Sequence, residues 1–294
     1  MLDKVKENNN FKGFILVFFA LFFAVDFFVW SRIFFAKAAD ETQIRFLDVG
    51  QGDAELVIFP GNFKVLTDAG PDSKIIGELE KIPPLGDRYI DLAIISHPQL
   101  DHFNGFRYLL DRYRIGAFIY NGRSDTPGIQ EWPDLISKIK KRGTPLIQLG
   151  AGDRIKRSGD KIDFLSPNSE LIQSAELNDT GLVELIESRG IKALLTADIG
   201  AETEKYLAAR FDLRADILKV PHHGSRFSSS AIFLEAVKPK VAIIEVGNNN
   251  RYGHPTPETL RRLSSISAAI FRTDKNGQIM VSVTGEKIKI FTDK

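Results

Sequence analysis

All five histidines of this 294-residue chain fall in three short clusters. His97 and His102 lie in Ser96-His97-Pro98-Gln99-Leu100-Asp101-His102, directly after the apolar run Leu92-Ala93-Ile94-Ile95. His222 and His223 lie in Pro221-His222-His223-Gly224-Ser225, after Ile217-Leu218-Lys219-Val220, and His254 lies in Arg251-Tyr252-Gly253-His254-Pro255. A lone acid, Asp198, follows the apolar run Ala193-Leu194-Leu195-Thr196. Polar side chains on stiff loops at strand ends converge on one rim of a sheet, where sites form in α/β folds. The chain is thereby restricted to folds in which several strand ends share a rim. Imidazole is also the commonest transition-metal ligand, so the pattern points to a metal centre.

Cysteine is absent, which excludes disulfides, thiolate metal sites and a cysteine nucleophile. A metal must then be held by nitrogen and oxygen, which suits zinc, manganese or iron. The formal net charge of +1 gives no global basic field, and a polyanion would need a local patch.

At the N-terminus, Lys4, Lys6 and Lys12 precede a 17-residue apolar run from Phe14 to Trp30, interrupted only by Asp26. Seventeen helical residues rise roughly 25 Å, near the lower limit for a hydrocarbon core of about 30 Å. The lysines fit a cytoplasmic N-terminus, and Ala36-Lys37-Ala38 resembles a small-residue cleavage site. Residues 1–38 are thus expected to be a membrane anchor or a cleaved signal segment, with the remainder outside the cytoplasm. A soluble buried helix fits less well, since phenylalanines on all faces leave no polar side. Asp26 is costly in lipid.

From residue 42 onward, short β-rich runs at 43–47, 54–59, 63–67 and 90–96 are separated by turn chemistry. Residues 103–113 have helical spacing. Further strands are expected at 117–120, 162–166, 181–186, 191–196, 217–220 and 241–246, and the last at 269–273, 278–284 and 287–291. Helices are expected at 75–82, 132–142, 201–211, 231–237 and 257–266. Strands with helices between them predict two mixed sheets covered by helices, in one domain over residues 42–294.

In the turn after His97, Asp101 and His102 come within reach of a common point. An acid beside a histidine can ligate a metal, take a proton from water or orient the imidazole. The segment Pro221-His222-His223-Gly224-Ser225-Arg226 offers amides, a hydroxyl and a cation suited to a phosphate oxygen, and Arg251 and His254 add donors. Strand alternation points Lys219 elsewhere. Gly50-Gln51-Gly52 reads mainly as a turn near the site, with Asp48 and Asp53 as supporting acids.

Several motifs together resemble the metallo-β-lactamase superfamily, and within it the hydrolase domains of the ComEC group of DNA-uptake proteins. They are Phe46-Leu47-Asp48-Val49-Gly50-Gln51-Gly52-Asp53, Leu66-Thr67-Asp68-Ala69-Gly70, the His97 cluster with Asn104-Gly105, and Asn178-Asp179-Thr180-Gly181-Leu182-Val183. Leu195-Thr196-Ala197-Asp198 and the segments at 220–225 and 251–255 complete the set. The resemblance implies an α/β fold, a four-layer αββα sandwich, holding one or two divalent ions, zinc or manganese. It implies His97, Asp101, His102, Asp198 and His222 as metal ligands, with Asp198 as the shared carboxylate. The late histidine is His222 or His223, and the strand-end position favours His222. Asp68, Gln99, Asn178 and His223 are implied as supporting or alternative ligands. Two departures stand out: Gln99 replaces a usual histidine, and only Asn178-Asp179 stands where a further histidine ligand usually precedes the shared acid.

The expected activity is metal-assisted hydrolysis of a phosphodiester, possibly DNA, with Asp101, Asp198 and His254 as catalytic residues and Ser225, Arg226, Arg251 and His254 on the phosphate. Two readings compete: hydrolysis of a carbonyl substrate such as a lactone, thioester or β-lactam, and a binding protein with a degenerate site. Lacking the many spans of a channel, the chain would need a separate membrane partner for any role in DNA uptake.

Overall fold

The computed structural model describes residues 9–34, 41–285 and 287–294, with side chains of the first stretch described from 13 to 28. Two compact units are present, Met1–Asp40 and Glu41–Lys294. In the first, a helix runs Asn9–Phe34 and its described side chains are exposed. No helix among the described residues is long and apolar enough to cross a membrane. Lys4, Lys6 and the small-residue stretch at 36–38 lie outside the described residues.

The second unit begins with β1 (Thr42–Phe46), β2 (Glu55–Phe59), β3 (Phe63–Thr67), β4 (Tyr89–Ile95), β5 (Arg114–Tyr120) and β6 (Leu146–Gln148). A second set follows: β7 (Arg154–Arg157), β8 (Asp160–Ser166), β9 (Val183–Ser188), β10 (Ile191–Leu195), β11 (Ile217–Lys219), β12 (Val241–Ile244) and β13 (Ala269–Arg272). The chain then returns with β14 (Ile279–Thr284) and β15 (Lys287–Thr292). One sheet has the order β15-β14-β1-β2-β3-β4-β5-β6 and the other β13-β12-β11-β10-β9-β8-β7. The pairs β3–β4 and β10–β11 are parallel, so in each sheet two neighbouring strands end on the same rim.

Apolar burial explains the layering. Phe46, Val57, Val65 and Ile94 of one sheet face Ile162, Ile186, Ala193 and Ile217 of the other in a shared core. On its outer face the first sheet packs Leu56, Leu66, Ala93 and Phe118 against Ile75, Leu79, Phe103, Phe106, Trp132 and Leu135 from helices. The second sheet packs Leu194, Leu218 and Ala242 against Leu207, Phe233, Leu234 and Leu263 of its own helices. The result is helix, sheet, sheet, helix.

Two details differ from the sequence expectation. The helix expected over 103–113 is two short pieces, Leu100–Phe103 and Gly105–Leu109. They break where the backbone at Gly105 presses on its neighbour: a Cβ there would lie 1.9 Å from the Ala69 carbonyl oxygen. Strands β6 and β7 carried no readable signal, since Leu-Ile-Gln is only 3 residues and Arg-Ile-Lys-Arg is dominated by charge. The charged run at 138–142 is a solvated helix face, with Lys138 and Arg142 both on Asp111, at 2.8 and 3.0 Å.

Candidate metal centre

Donors arrive from both sheets. Asp68 follows β3, and Ser96 and His97 follow β4. Asp101 and His102 sit on the helix Leu100–Phe103 that the turn enters. Asp198 follows β10, and His222 and His223 follow β11. The backbone around the site is unusual, with positive φ at the non-glycine residues Asp68, Ala197, His222 and His223. Such conformations persist only where the surroundings over-determine them. Gly52 has φ +144, and a Cβ on it would meet the Asp101 carbonyl oxygen at 2.2 Å. Glycine at 52 is therefore what lets the β1–β2 loop close on the His97 segment.

Asp101, His102, Asp198 and His223 each offer an atom within 4.8 Å of the other three. Asp198 Oδ2 lies 3.4 Å from His102 Nε2 and 3.2 Å from His223 Nε2, and Asp101 Oδ2 lies 3.6 Å from His223 Nε2. The grouping contains His223, the alternative to His222, whose Nε2 stands 4.0 Å from Asp198 Oδ2. β11 ends at Lys219, and two successive left-handed residues, His222 (φ 49) and His223 (φ 53), swing the second ring inward. There His223 Nδ1 donates to the Glu245 carbonyl oxygen at 2.9 Å.

The hydrogen bonds fix which nitrogen of each ring is free. Asp68 Oδ1 accepts from the Ser96 amide at 2.9 Å, and Asp68 Oδ2 accepts from Ser96 Oγ at 2.6 Å. The hydroxyl proton is thus spent on Asp68, and Ser96 Oγ accepts from His97 Nδ1 at 3.0 Å. His102 Nδ1 donates to Asp68 Oδ2 at 2.7 Å. The Nε2 atoms of His97, His102 and His223 are buried with no hydrogen-bond partner. An imidazole held through Nδ1 with Nε2 aimed into a carboxylate cluster is the arrangement of a metal ligand and its orienting partner. Two nitrogens and two carboxylates make a donor set that fits zinc or manganese.

The family model for the metallo-β-lactamase superfamily matches residues 47–247, more than half of the chain. The chain belongs to the metallo-β-lactamase superfamily. It is similar to ComE operon protein 3 of Bacillus subtilis, with 30% identity over 82% of this chain and 33% of that protein. It is also similar to competence protein ComA of Neisseria gonorrhoeae, with 26% identity over 83% of this chain and 33% of that protein. The chain thus spans about a third of the length of these relatives. Among solved structures it shares its fold with the metallo-β-lactamase fold protein YhfI from Bacillus subtilis, at TM-score 0.55 and 12% identity, covering 85% of this chain and all of that one. The superfamily's divalent-metal chemistry fits the donors described above.

A second, wholly buried tier supports this metallo-β-lactamase site. Lys219, expected to point away, has no exposure and ion-pairs with Asp53, while its Nζ lies 3.5 Å from Asp198 Oδ1. Asp53 Oδ1 also faces His223 Nδ1 at 3.3 Å. Asp48, by contrast, is at the margin, 2.9 Å from the Lys74 ammonium. Burial alone would raise the Asp53 carboxyl, but Lys219, His223 and His102 hold it down at about 2. Burial would likewise lower His102 and His223, but Asp198 leads the carboxylates that raise both well above the usual imidazole range. His97 is pushed down to about 4 by burial and by His102.

These shifts carry a prediction. At neutral pH the metal-free protein holds His102 and His223 protonated, and this attraction to Asp198 stabilises the fold until pH rises through their raised values. A metal must displace both Nε2 protons. About two protons are therefore expected to leave per ion bound near pH 7, and affinity should rise with pH. Calorimetric titration in buffers of different ionisation enthalpy measures the count, and a value of zero contradicts the assignment.

Above the metal donors opens a cleft of about 890 Å³, lined by Gln99, Asp101, Asn178, His222, Arg251 and His254 among others. Lys74 and Tyr252 stand at its margin. His254 stacks on Tyr252 with ring centroids 5.9 Å apart. Partial burial and His222 push it down to about 4, so at neutral pH it is an uncharged hydrogen-bonding group. Ser225 and Arg226, expected on the phosphate, do not line the cleft. The Ser225 carbonyl instead accepts from Thr259 Oγ1 at 2.8 Å, and Arg226 lies over the Phe227 ring, 4.7 Å from its centroid.

Proposed function

We propose that this hydrolase cleaves phosphodiester bonds, with DNA as its substrate class, on the outer side of a cytoplasmic membrane. The reading is carried by one juxtaposition: a carboxylate–imidazole cluster at the floor of a cleft whose lip bears Arg251 and Lys74. Similarity to a protein named for competence, ComA of Neisseria gonorrhoeae, supports a nucleic acid in the context of DNA uptake. The N-terminal helix, with its exposed phenylalanines, supports an anchor or signal segment, and a separate channel protein is the partner such a role needs.

A divalent ion held at the floor would supply Lewis acidity for hydrolysis. Asp101, Asp198 and the Nε2 atoms of His102 and His223 would hold it. The Asp101 side chain is 30% exposed and is the carboxylate that opens towards the cleft to accept the proton of the attacking water. Arg251 and Lys74 neutralise non-bridging phosphate oxygens, and neutral His254 donates an N–H. Asp68 and Ser96 keep the imidazoles in register.

The test is a substrate panel on metal-loaded protein: bis-p-nitrophenyl phosphate, single- and double-stranded DNA, and nitrocefin. Turnover of the phosphodiesters at least about 100-fold above that of nitrocefin is expected, since a site built for one charge pattern rejects another by this much or more. Preference for nitrocefin would shift the reading to a carbonyl hydrolase.

A further inference from the structure

Four rings run from the donor cluster to the lip of the cleft. The centroids of His223 and His222 are 6.2 Å apart, those of His222 and His254 5.8 Å, and those of His254 and Tyr252 5.9 Å. The first two contacts are edge-on, at 75° and 76°, whereas His254 and Tyr252 are nearly parallel, at 18°. The line begins on a buried donor and ends on a tyrosine that is 53% exposed.

A single exposed tyrosine is ordinary on a protein surface. Tyr252 differs because the loop that carries it is stapled. Asn250 Nδ2 donates to the Gly247 and His254 carbonyl oxygens, at 3.1 and 2.7 Å, and Asn250 Oδ1 accepts from the His254 amide at 3.0 Å. The Gly247 amide donates to Gln51 Oε1 at 3.2 Å, and the Thr256 amide donates to the Gly224 carbonyl oxygen at 3.0 Å. One end of the loop is thus fixed to the β1–β2 loop and the other to the turn of His222 and His223. A ring held in this way loses little freedom when a partner packs on it. Arg251 supplies charge beside it: its Cζ lies over the Tyr252 ring, 5.1 Å from the centroid, and its Nη2 donates to the Tyr252 hydroxyl at 3.0 Å. A cation and an exposed ring side by side are what proteins use to hold the phosphate and the base of a single strand.

We propose that Tyr252 is a stacking platform for the nucleobase next to the scissile phosphate. Tyr252 is two ring contacts from His222, whose Nε2 stands 4.0 Å from Asp198 Oδ2, so a base on it belongs to a nucleotide beside the cleaved bond. With Arg251 turned to a phosphate oxygen, the ring face it covers is open to that base. A base in a duplex has both faces covered by its neighbours, so the platform selects an unpaired one. The inference rests on the phosphodiesterase reading of the cleft.

The experiment compares two substrates on the metal-loaded full chain: a thymidine tetranucleotide, and the same sugar-phosphate backbone without bases. Products are separated by chromatography. The parent is expected to favour the tetranucleotide about tenfold or more in kcat/KM, the scale of one base on an aromatic side chain. Tyr252→Ala should erase most of that preference and raise KM more than it lowers kcat, as happens when an interaction shared by ground and transition states is removed. Tyr252→Phe, which keeps the ring and loses the bond from Arg251, should retain the preference. Phe227 is the control: it is 66% exposed with Arg226 over its ring, but does not line the cleft, and Phe227→Ala should match the parent. Equal turnover of both substrates by the parent, an undiminished preference in Tyr252→Ala, or an equal loss in Phe227→Ala would each overturn the platform while leaving the phosphodiesterase reading in place. Cleavage of neither substrate, with nitrocefin hydrolysed, removes that reading and the platform with it.

Discussion

Replacing Asp198 with alanine is expected to lower phosphodiester turnover by at least about 10³-fold, the upper range for removing one preorganised electrostatic group, while the protein stays folded. Asp198 Oδ2 is the atom on which both His102 and His223 converge, at 3.4 and 3.2 Å. Without it the two Nε2 atoms lose their common partner. The fold should survive because the Asp198 side chain holds no backbone group: its Oδ1 is buried without a hydrogen bond. Lys219 keeps its ion pair with Asp53 and donates to the Ala197 carbonyl at 2.8 Å. Kinetics on bis-p-nitrophenyl phosphate, with circular dichroism as the fold control, checks this. Turnover within tenfold of the parent would remove Asp198 from the centre of the chemistry.

Stripping the metal should cost the protein about 4 kcal/mol, the linkage contribution of a ligand present at roughly a thousand times its Kd. For a domain of this size each kcal/mol moves Tm by about 2–4 °C, so chelation is expected to lower Tm by roughly 10 °C. The physical cause is the density of buried acids. Asp53, Asp68 and Asp198 are 0–1% exposed around the two imidazoles, and Lys219 is the ammonium that ion-pairs with two of them. The raised imidazoles of His102 and His223 offset part of that charge in the metal-free protein, and the ion adds its binding free energy to folding because its donors meet only in the folded chain. Thermal unfolding with EDTA, and again after Mn(II) or Zn(II) is restored, gives the value. An unchanged Tm would mean that the donors do not hold an ion in the folded protein.

Much of this site was legible because its donors follow apolar strands, and strand ends are rigid addresses. His97, Asp101, His102 and Asp198 could be placed on one rim from apolar runs and turn residues alone. The choice between His222 and His223 could not. It depends on two successive left-handed residues, neither of them glycine, and no local propensity announces such a pair. Lys219 was misread because alternation assigns sides only when one face of a strand is solvated. β11 lies between β10 and β12 and is buried at all three positions, so its pattern carries no facing information. Asp53 was legible as a supporting acid, but its partner Lys219, 166 residues away, was not. Ser225 and Arg226 failed for the opposite reason: a glycine-flanked turn has the composition of a phosphate cradle, but Thr259 and Phe227 occupy its polar and apolar partners.

The four clustered donors come in two pairs, Asp101 and His102 from the first sheet's loops and Asp198 and His223 from the second's. An ion held there rivets two halves of the domain that otherwise meet along the apolar seam between the sheets and through a few buried polar contacts, such as the Asp53–Lys219 ion pair and the Thr67 Oγ1–Glu184 Oε1 hydrogen bond at 3.0 Å. Its loss should be felt as slippage along that seam before either sheet frays. Side chains deep in the seam, such as Ile94 and Ala193, then govern ion retention from a distance, because a shift of one layer against the other opens the cage without removing a single ligand.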